Sequence, residues 1–237
     1  MNILKEIKWS LLPKHTYCRI CKGATMKIGK EVRIHNCRII VTPGSSLEIG
    51  DYASIENSDI SVSSGQMKIG PYSIIGGKTE RQLLNIEKGS IHIGHHTKIC
   101  ARRFWVRFGG AVRIGCYTNI NSGSEIRCDE SVTIGSYNQI SYSVNIWDTN
   151  THSILPKEER RRIAEQYYPY FGKELAAPLT SPVEIGDDCW LGQGVTVLKG
   201  SIVGDGVIVG VNSIIPGKTI PANSTVVTDI SLKVIKK

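Results

Sequence analysis

Histidine 152 ends a short polar run, Trp147-Asp-Thr-Asn-Thr-His152, and is a candidate general base. An imidazole is largely neutral near pH 7 and accepts a proton from a reacting hydroxyl that lies within hydrogen-bond distance. Asp148 and Asn150 are close enough in sequence to orient the ring, and we favour Asp148. The chain has six histidines, so a loop histidine without a task is the alternative interpretation.

Two other groups of residues have the chemistry of metal ligands. Cys18 and Cys21 form a single CxxC, and three histidines are close in sequence: His92, His95 and His96. Structural zinc takes four ligands, and neither a second CxxC nor an HxxxH follows the cysteines. A zinc site made of three histidines from neighbouring coils would need further ligands after His96, and no histidine lies between His96 and His152. We therefore predict no metal, and the odd number and irregular spacing of the cysteines predict reduced thiols rather than a secreted disulfide framework.

The chain is basic, with a formal net charge of +8 and a pI of about 9.1. Part of this charge lies in one run, in which Arg102, Arg103 and Arg107 surround Phe104 and Trp105. Such a run can stack on nucleic-acid bases, form the outward face of a sheet, or bind an acidic glycan. No signature of a nucleic-acid-binding fold accompanies it, so we predict no nucleic-acid partner.

A six-residue repeat supplies the elements that position these residues. Aliphatic side chains recur at six-residue steps: Ile185, Leu191, Val197, Val203, Val209 and Ile215. Amphipathic helices repeat at three and four residues, and hairpin arrays alternate, so neither fits. Period six instead predicts a triangular coil, in which each hexapeptide forms one short strand and one corner. Stacked coils then bury a continuous apolar core.

The repeat also divides the chain. We predict an N-terminal segment over residues 1–25, β-helix coils over 26–148, an inserted loop over 149–182, and C-terminal coils with a tail over 183–237. The upstream repeat contains a two-residue slip, from Val132 to Ile134. Within the insertion, residues 157–166 follow Pro156 and begin with acidic side chains, which is typical of a helix.

The phased aliphatics, together with the stretch Pro182-Val-Glu-Ile-Gly-Asp-Asp-Cys-Trp-Leu-Gly192, resemble the hexapeptide-repeat transferases. Within that family the chain is most similar to the sugar and polysaccharide O-acetyltransferases. The resemblance implies an all-β, left-handed parallel β-helix, whose hand comes from the family because crossovers are usually right-handed. It also implies transfer of an acetyl group from acetyl-CoA to a hydroxyl of a sugar or surface polysaccharide, by a homotrimer and without a metal.

The resemblance also implies roles for individual residues. His152 matches the family's catalytic histidine, and Asn121 and Trp147 are assigned to the acceptor. Six positions are assigned to acetyl-CoA: Trp190, Gln193, Val211, Lys218, Lys233 and Lys236. Pro216-Gly217 departs from relatives that carry a threonine and a basic residue there, which leaves the register of Lys218 open by one position.

Residues 1–12 combine apolar side chains with lysines. This segment is too short and too charged for a signal peptide, and no apolar run is long enough to span a bilayer. We therefore predict a cytoplasmic protein. The segment predicts a short helix that either associates peripherally with the inner membrane surface or caps the open end of the β-helix, and we favour the cap.

Two other functions fit the same sequence. One is N-acetylation of a nucleotide-linked amino sugar, and the other is a non-catalytic β-helix that serves as a binding or structural module. Acetyl-CoA cleavage that depends on an added sugar would separate an enzyme from a module.

Overall fold

The computed structural model describes residues 16–77, 80–169 and 177–229. Within these ranges the chain forms 27 strands in three parallel sheets of nine, which we call sheets A, B and C. Each coil contributes one strand to each sheet in turn, so the prism has an A–B, a B–C and a C–A corner. The predicted left-handed parallel β-helix is confirmed. The N-terminal helix predicted over residues 1–12 lies outside the described residues.

The strands are short, and each pairs with the strand three positions away in the chain. Sheet A contains β1 Tyr17–Ile20, β4 Arg38–Val41, β7 Ser58–Val62, β10 Gln82–Ile86, β13 Arg103–Val106, β16 Glu125–Cys128, β19 Asn145–Trp147, β22 Thr196–Leu198 and β25 Ile214–Pro216. Sheet B contains β2 Thr25–Ile28, β5 Ser46–Ile49, β8 Gly65–Ile69, β11 Gly89–Ile93, β14 Gly110–Ile114, β17 Ser131–Ile134, β20 Val183–Ile185, β23 Ile202–Val203 and β26 Thr219–Ile220. Sheet C contains β3 Arg33–His35, β6 Ser54–Glu56, β9 Ile74–Ile75, β12 Lys98–Ile99, β15 Asn119–Ile120, β18 Gln139–Ile140, β21 Trp190–Leu191, β24 Ile208–Val209 and β27 Thr225–Val226.

The aliphatic repeat fills the interior of the prism. The six phased residues of the C-terminal coils are all buried, and each lies on a different strand from β20 to β25. The two-residue slip has a simple cause, because Val132 and Ile134 are both inward-facing residues of β17. A longer strand presents two side chains to the core, since alternate residues share a face.

Glycine follows the aliphatic residue where the coils pass closest at the B–C corner. A Cβ placed on Gly115 would lie 2.6 Å from the carbonyl carbon of Gly135 in the next coil. No side chain fits such a contact, which explains the recurrent Ile-Gly pairs. Two residues later, Tyr117 has φ +55°, so the corner also needs a left-handed residue.

The coils begin before the predicted boundary at residue 26. Strand β1 already pairs with β4 and places Cys18 opposite Ile39. This coil was not predicted, because its inward residue is a cysteine and no Ile-Gly pair marks it.

One insertion interrupts the prism, at the A–B corner between β19 and β20. Helix α1 covers Lys157–Tyr167 and buries only Ile163. The two ends of the insertion meet, since the Ser181 N–H donates to the Asp148 carbonyl at 2.9 Å and Thr149 bridges Thr180. Among the described residues no helix is long and apolar enough to cross a bilayer.

Candidate active site

Asp148 anchors the segment that carries His152. Its buried carboxylate accepts three backbone N–H groups of the preceding coil, from Asp129 at 2.9 Å, Glu130 at 2.8 Å and Ser131 at 2.7 Å. Burial raises the pKa of Asp148, and the hydrogen bonds from Asp129 and Glu130 oppose that shift. These contacts give Asp148 a structural task at the base of the loop. Its predicted role in orienting the His152 ring stays a prediction.

Thr151, the residue before His152, is restrained at every polar atom. Its N–H donates to Thr149 Oγ1 at 3.0 Å, its carbonyl accepts from Arg107 Nη2 at 3.0 Å, and its hydroxyl accepts from Arg127 Nη1 at 2.9 Å. The residue is buried and has φ +68°. A β-branched residue is unfavourable in this left-handed region and persists there only when its surroundings fix it.

Arg107 and Asp129 form the buried centre of this arrangement. Two guanidinium nitrogens of Arg107 bind the two carboxylate oxygens of Asp129 at 2.9 and 2.7 Å. Asp129 also accepts the Thr149 hydroxyl at 2.6 Å. We call Arg107, Arg127, Asp129 and Thr149 the loop clamp, because together they hold Thr151. His152 itself is exposed beyond it.

Trp147 lies one strand above Arg127 on the outer face of sheet A. The Arg127 guanidinium is 4.5 Å from the Trp147 ring centroid and 6.0 Å from that of Trp105, so it lies between two indoles. Trp147 is half-buried, and within the described part of the chain its Nε1 is the one buried side-chain nitrogen or oxygen without a hydrogen-bond partner. Contact of Trp147 with the acceptor stays a prediction.

Glu125 gathers three arginines on the same face. It binds Arg102, Arg103 and Arg127, each at 2.5 Å, and its own side chain is 1% exposed. Burial opposes its ionisation, but hydrogen bonds from Arg127 and Arg103 outweigh burial and hold its pKa below the ordinary value. Glu125 and Asp129 therefore compensate the basic run, which is less cationic than the sequence alone indicates.

We expect Glu125→Gln to weaken the fold at neutral pH by about 1–3 kcal/mol, since three partly exposed charge-assisted hydrogen bonds are lost. Because the folded-state pKa of Glu125 is lowered, its contribution is present above the unfolded-state pKa and is lost as the pH falls through the folded-state pKa. Urea unfolding of both proteins, repeated from neutral to acidic pH, checks this. The stability difference should shrink towards acid, and a constant difference would contradict the assignment. Glu48→Gln, at an exposed ion pair with Lys68, is the matched control.

The residues assigned to acetyl-CoA fall into two places. Trp190 and Val211 are 56% and 64% exposed, and Gln193 is exposed between them, on sheet C and at the C–A corner. Lys218 is exposed at the A–B corner instead, between β25 and β26. Lys233 and Lys236 lie outside the described residues.

The candidate base and most of the candidate donor residues lie at opposite edges of sheet A. His152 follows β19 at the A–B corner, whereas Asn121, Gln193 and Val211 lie at the C–A corner. The structure therefore groups Asn121 with the donor residues and Lys218 with His152. One chain does not bring the two groups together.

The other candidate ligands are separate from this region. His95 and His96 lie at the B–C corner with their Nδ1 atoms 3.0 Å apart. Cys18 lies in the first coil, with its sulfur 3.9 Å from that of Met26. Within the described ranges no three His, Cys, Asp or Glu side chains group as metal ligands do.

The fold and the insertion define a class of protein, the hexapeptide-repeat β-helices. Residues 182–217 match the family model described as bacterial transferase hexapeptide (six repeats). The chain is 35% identical over 150 residues to the putative lipopolysaccharide biosynthesis O-acetyl transferase WbbJ of Escherichia coli K12, covering 63% of this chain and 72% of the relative. It is 28% identical over 127 residues to the putative colanic acid biosynthesis acetyltransferase WcaF of the same organism, covering 52% and 67%.

Two solved structures share the fold. The polySia-specific acetyltransferase NeuO superposes with a TM-score of 0.55 at 19% identity, over 90% of this chain and 81% of its own. The polysialic acid O-acetyltransferase OatWY superposes with a TM-score of 0.54 at 16% identity, over 92% and 94%. The chain belongs to the hexapeptide-repeat transferases. The predicted family and its enzyme class, an acetyltransferase, are confirmed.

Proposed function

We propose that the protein transfers an acetyl group from acetyl-CoA to a hydroxyl of a sugar in a bacterial surface polysaccharide. The relatives named for lipopolysaccharide and colanic acid biosynthesis support the acceptor class. The observation that carries the proposal is the loop clamp, which fixes the residue before an exposed histidine in a strained conformation. Strain of this kind clusters at active sites, where it holds a reacting group in place.

In the proposed reaction His152 accepts the proton of the sugar hydroxyl. The hydroxyl oxygen attacks the carbonyl carbon of the thioester, and a tetrahedral intermediate forms. The carbon–sulfur bond then breaks, and the departing thiolate of CoA receives the proton from the imidazolium. A thioester is already activated, so a base and the correct placement of both substrates supply most of the catalysis.

The loop clamp contributes to the proton transfer by fixing the position of His152. A base must lie within hydrogen-bond distance of the proton that it removes, and small displacements are costly. Arg107 and Arg127 hold Thr151, and Asp148 holds the coil on which the loop rests. These are positioning residues. Asn121 and Trp147 belong to the acceptor side of the same proposal.

The donor side uses exposed apolar and basic groups. Trp190 and Val211, with the neighbouring Ile208, offer an apolar surface to the pantetheine arm of acetyl-CoA. Gln193 is exposed at the C–A corner beside this surface and is assigned to the same pantetheine arm. The phosphates of CoA need cations, for which Lys218, Lys233 and Lys236 are the candidates. Lys218 lies at the A–B corner, so in a shared site it comes from the chain that supplies His152.

The separation of the two groups supports a shared active site. His152 and the Trp190 surface lie at different corners, so they meet when the A–B corner of one chain faces the sheet C side of another. We therefore propose a cyclic homotrimer, in which each site takes its base from one chain and its donor surface from the next. The insertion, with α1, forms a lip over the acceptor.

Co-expression of two inactive variants tests the shared site. We expect His152→Ala and Val211→Trp, which fills the donor surface, each to be inactive alone. In a random equal mixture half of the chains keep the base and half keep the donor surface, so about one quarter of the sites should be intact. Differently tagged chains, purified together and assayed for transfer, give this fraction. Activity that stays at background in such mixed assemblies would place the site within one chain.

A further inference from the structure

A groove crosses the outer face of sheet A below the loop clamp. It has a volume of about 370 Å³ and lies across β7, β10 and β13. Its size falls in the range of small-molecule sites, roughly 300–1,000 Å³. None of the residues assigned to acetyl-CoA or to the reacting sugar lines it.

The lining combines an apolar floor with polar groups at the rim. Leu83, which is 41% exposed, and the indole of Trp105 supply the apolar part. Glu87 accepts the Trp105 Nε1–H at 2.8 Å and so fixes the indole. Around it, Asp59 adds a carboxylate, Ser61 a hydroxyl and Asn85 an amide.

This combination matches the chemistry of a sugar ring. A pyranose has an apolar face of C–H groups and an edge of hydroxyls that both donate and accept hydrogen bonds. Apolar pockets with a few convergent polar groups are the usual form of small-molecule sites. A planar carboxylate or amide, as in Asp59 and Asn85, can bind neighbouring hydroxyls of one ring.

The charges of the groove favour an uncharged ligand. Arg103 binds Glu125, which it shares with Arg102 and Arg127. Asp59 is paired with Arg81 through bonds of 2.8 and 2.5 Å. Glu87 contributes a further negative charge without a cation among its described hydrogen bonds. The lining itself therefore holds two carboxylates, Asp59 and Glu87, and one guanidinium, Arg103, so the acid group of an anionic sugar would meet more negative than positive lining groups.

The groove lies on the same face as Trp147 and the His152 loop, but at a distance. Its central strand, β10, is three strand steps from β19, which is about 14 Å at the usual strand spacing. A single ring cannot occupy both places, whereas an oligosaccharide laid along sheet A can.

The geometry points to a second sugar subsite: this groove binds an uncharged pyranose residue of the acceptor glycan, several residues away from the hydroxyl that is acetylated. The inference rests on the proposed function, since it describes the acceptor of that reaction. It makes the acceptor an oligosaccharide or polymer rather than a free sugar or a nucleotide sugar.

A glycan array tests the subsite with intact protein. The array carries neutral hexose and N-acetylhexosamine oligosaccharides of one to six residues, and sialylated ones beside them. Binding is read without acetyl-CoA, and transfer is read with labelled acetyl-CoA on a second copy. We expect the wild type to bind longer neutral chains, and Leu83→Ala to lower their affinity by about 5- to 10-fold, as expected when a few methylene contacts are lost.

Two further variants make the result specific. Ile74→Ala is the matched control, because Ile74 is 44% exposed on β9 of sheet C, in the coil before that of Leu83, and glycan binding by this variant should equal that of the wild type. Ser61→Tyr keeps every other lining residue and fills the groove, so it should also lose the longer chains. Thermal unfolding of all three variants checks that each of them is folded.

The outcomes separate the two proposals. Wild-type binding confined to sialylated chains, or equal binding by wild type, Leu83→Ala and Ser61→Tyr, overturns the subsite, even when transfer is observed. So does a change in oligomeric state of Leu83→Ala without loss of glycan binding, which would make the groove a subunit contact. Binding of neutral chains without any labelled transfer would refute the proposed function and leave the subsite standing.

Discussion

His152→Ala is expected to lower kcat for acetyl transfer by about two to four orders of magnitude, the usual contribution of a positioned general base. The side chain is exposed, so its removal should leave the β-helix core untouched. KM for acetyl-CoA should change little, because the proposed role of His152 is to accept the proton of the sugar hydroxyl, and other residues form the donor surface. Steady-state kinetics with acetyl-CoA and an acetylatable glycan, together with thermal unfolding, measure both parts.

His92→Ala is the matched control for this loss. His92 is an exposed histidine on β11 of sheet B, away from the A–B corner. It should keep wild-type activity. Near-wild-type turnover by His152→Ala would remove His152 from the mechanism, and a large fall in its unfolding temperature would show a structural role instead.

Breaking the loop clamp at Arg107 is expected to cost both stability and turnover. Arg107→Met leaves the buried Asp129 carboxylate without its cation, and loss of one partner of a buried pair costs about 3–5 kcal/mol. It also removes the donor to the Thr151 carbonyl. Turnover should fall by about 10- to 100-fold, since the base is then held less well.

The double variant Arg107→Met/Asp129→Asn separates the two effects. Replacing both charges removes the unpaired buried carboxylate, so much of the stability should return. Turnover should stay low, because the Thr151 carbonyl still lacks the Arg107 guanidinium that donates to it. Urea unfolding and kcat, measured on both variants, give the comparison. Recovery of kcat in parallel with stability would mean that the clamp serves the fold alone.

The fold was predictable because its cause is local and repeated. Every coil must bury an aliphatic residue and then pass close to the backbone of the next coil at the corner. The pair Ile185 and Gly186 meets these two needs, and equivalent pairs recur in other coils. The exposed position of Trp190 also follows from the phase of the repeat. The buried aliphatic residues, the corner glycines and the exposed tryptophan can therefore be predicted without knowing which residues of other coils they contact.

The loop clamp was not predictable in this way, because it depends on register between coils. Arg107, Asp129 and Thr149 follow the equivalent strands β13, β16 and β19, but they are separated by unequal lengths of chain. Once the strands are aligned, arginine, aspartate and threonine occupy one column at the A–B corner. This alignment of the three residues is the sequence signal that would have indicated the loop clamp. It also changes the interpretation of the basic run, whose Arg107 is buried and paired with Asp129 rather than exposed to an acidic ligand.

The insertion begins and ends at one point of the prism. The Asp148 carbonyl and the Ser181 N–H are joined by a single hydrogen bond, and the Gly200 N–H in the next coil donates to the Ser181 and Pro182 carbonyls. The coils on either side therefore stack as they would across an ordinary corner. Lengthening such a loop costs little, because closure entropy grows slowly with length. Evolution can thus exchange the segment that is proposed to form the lip over the acceptor without altering a single strand pairing.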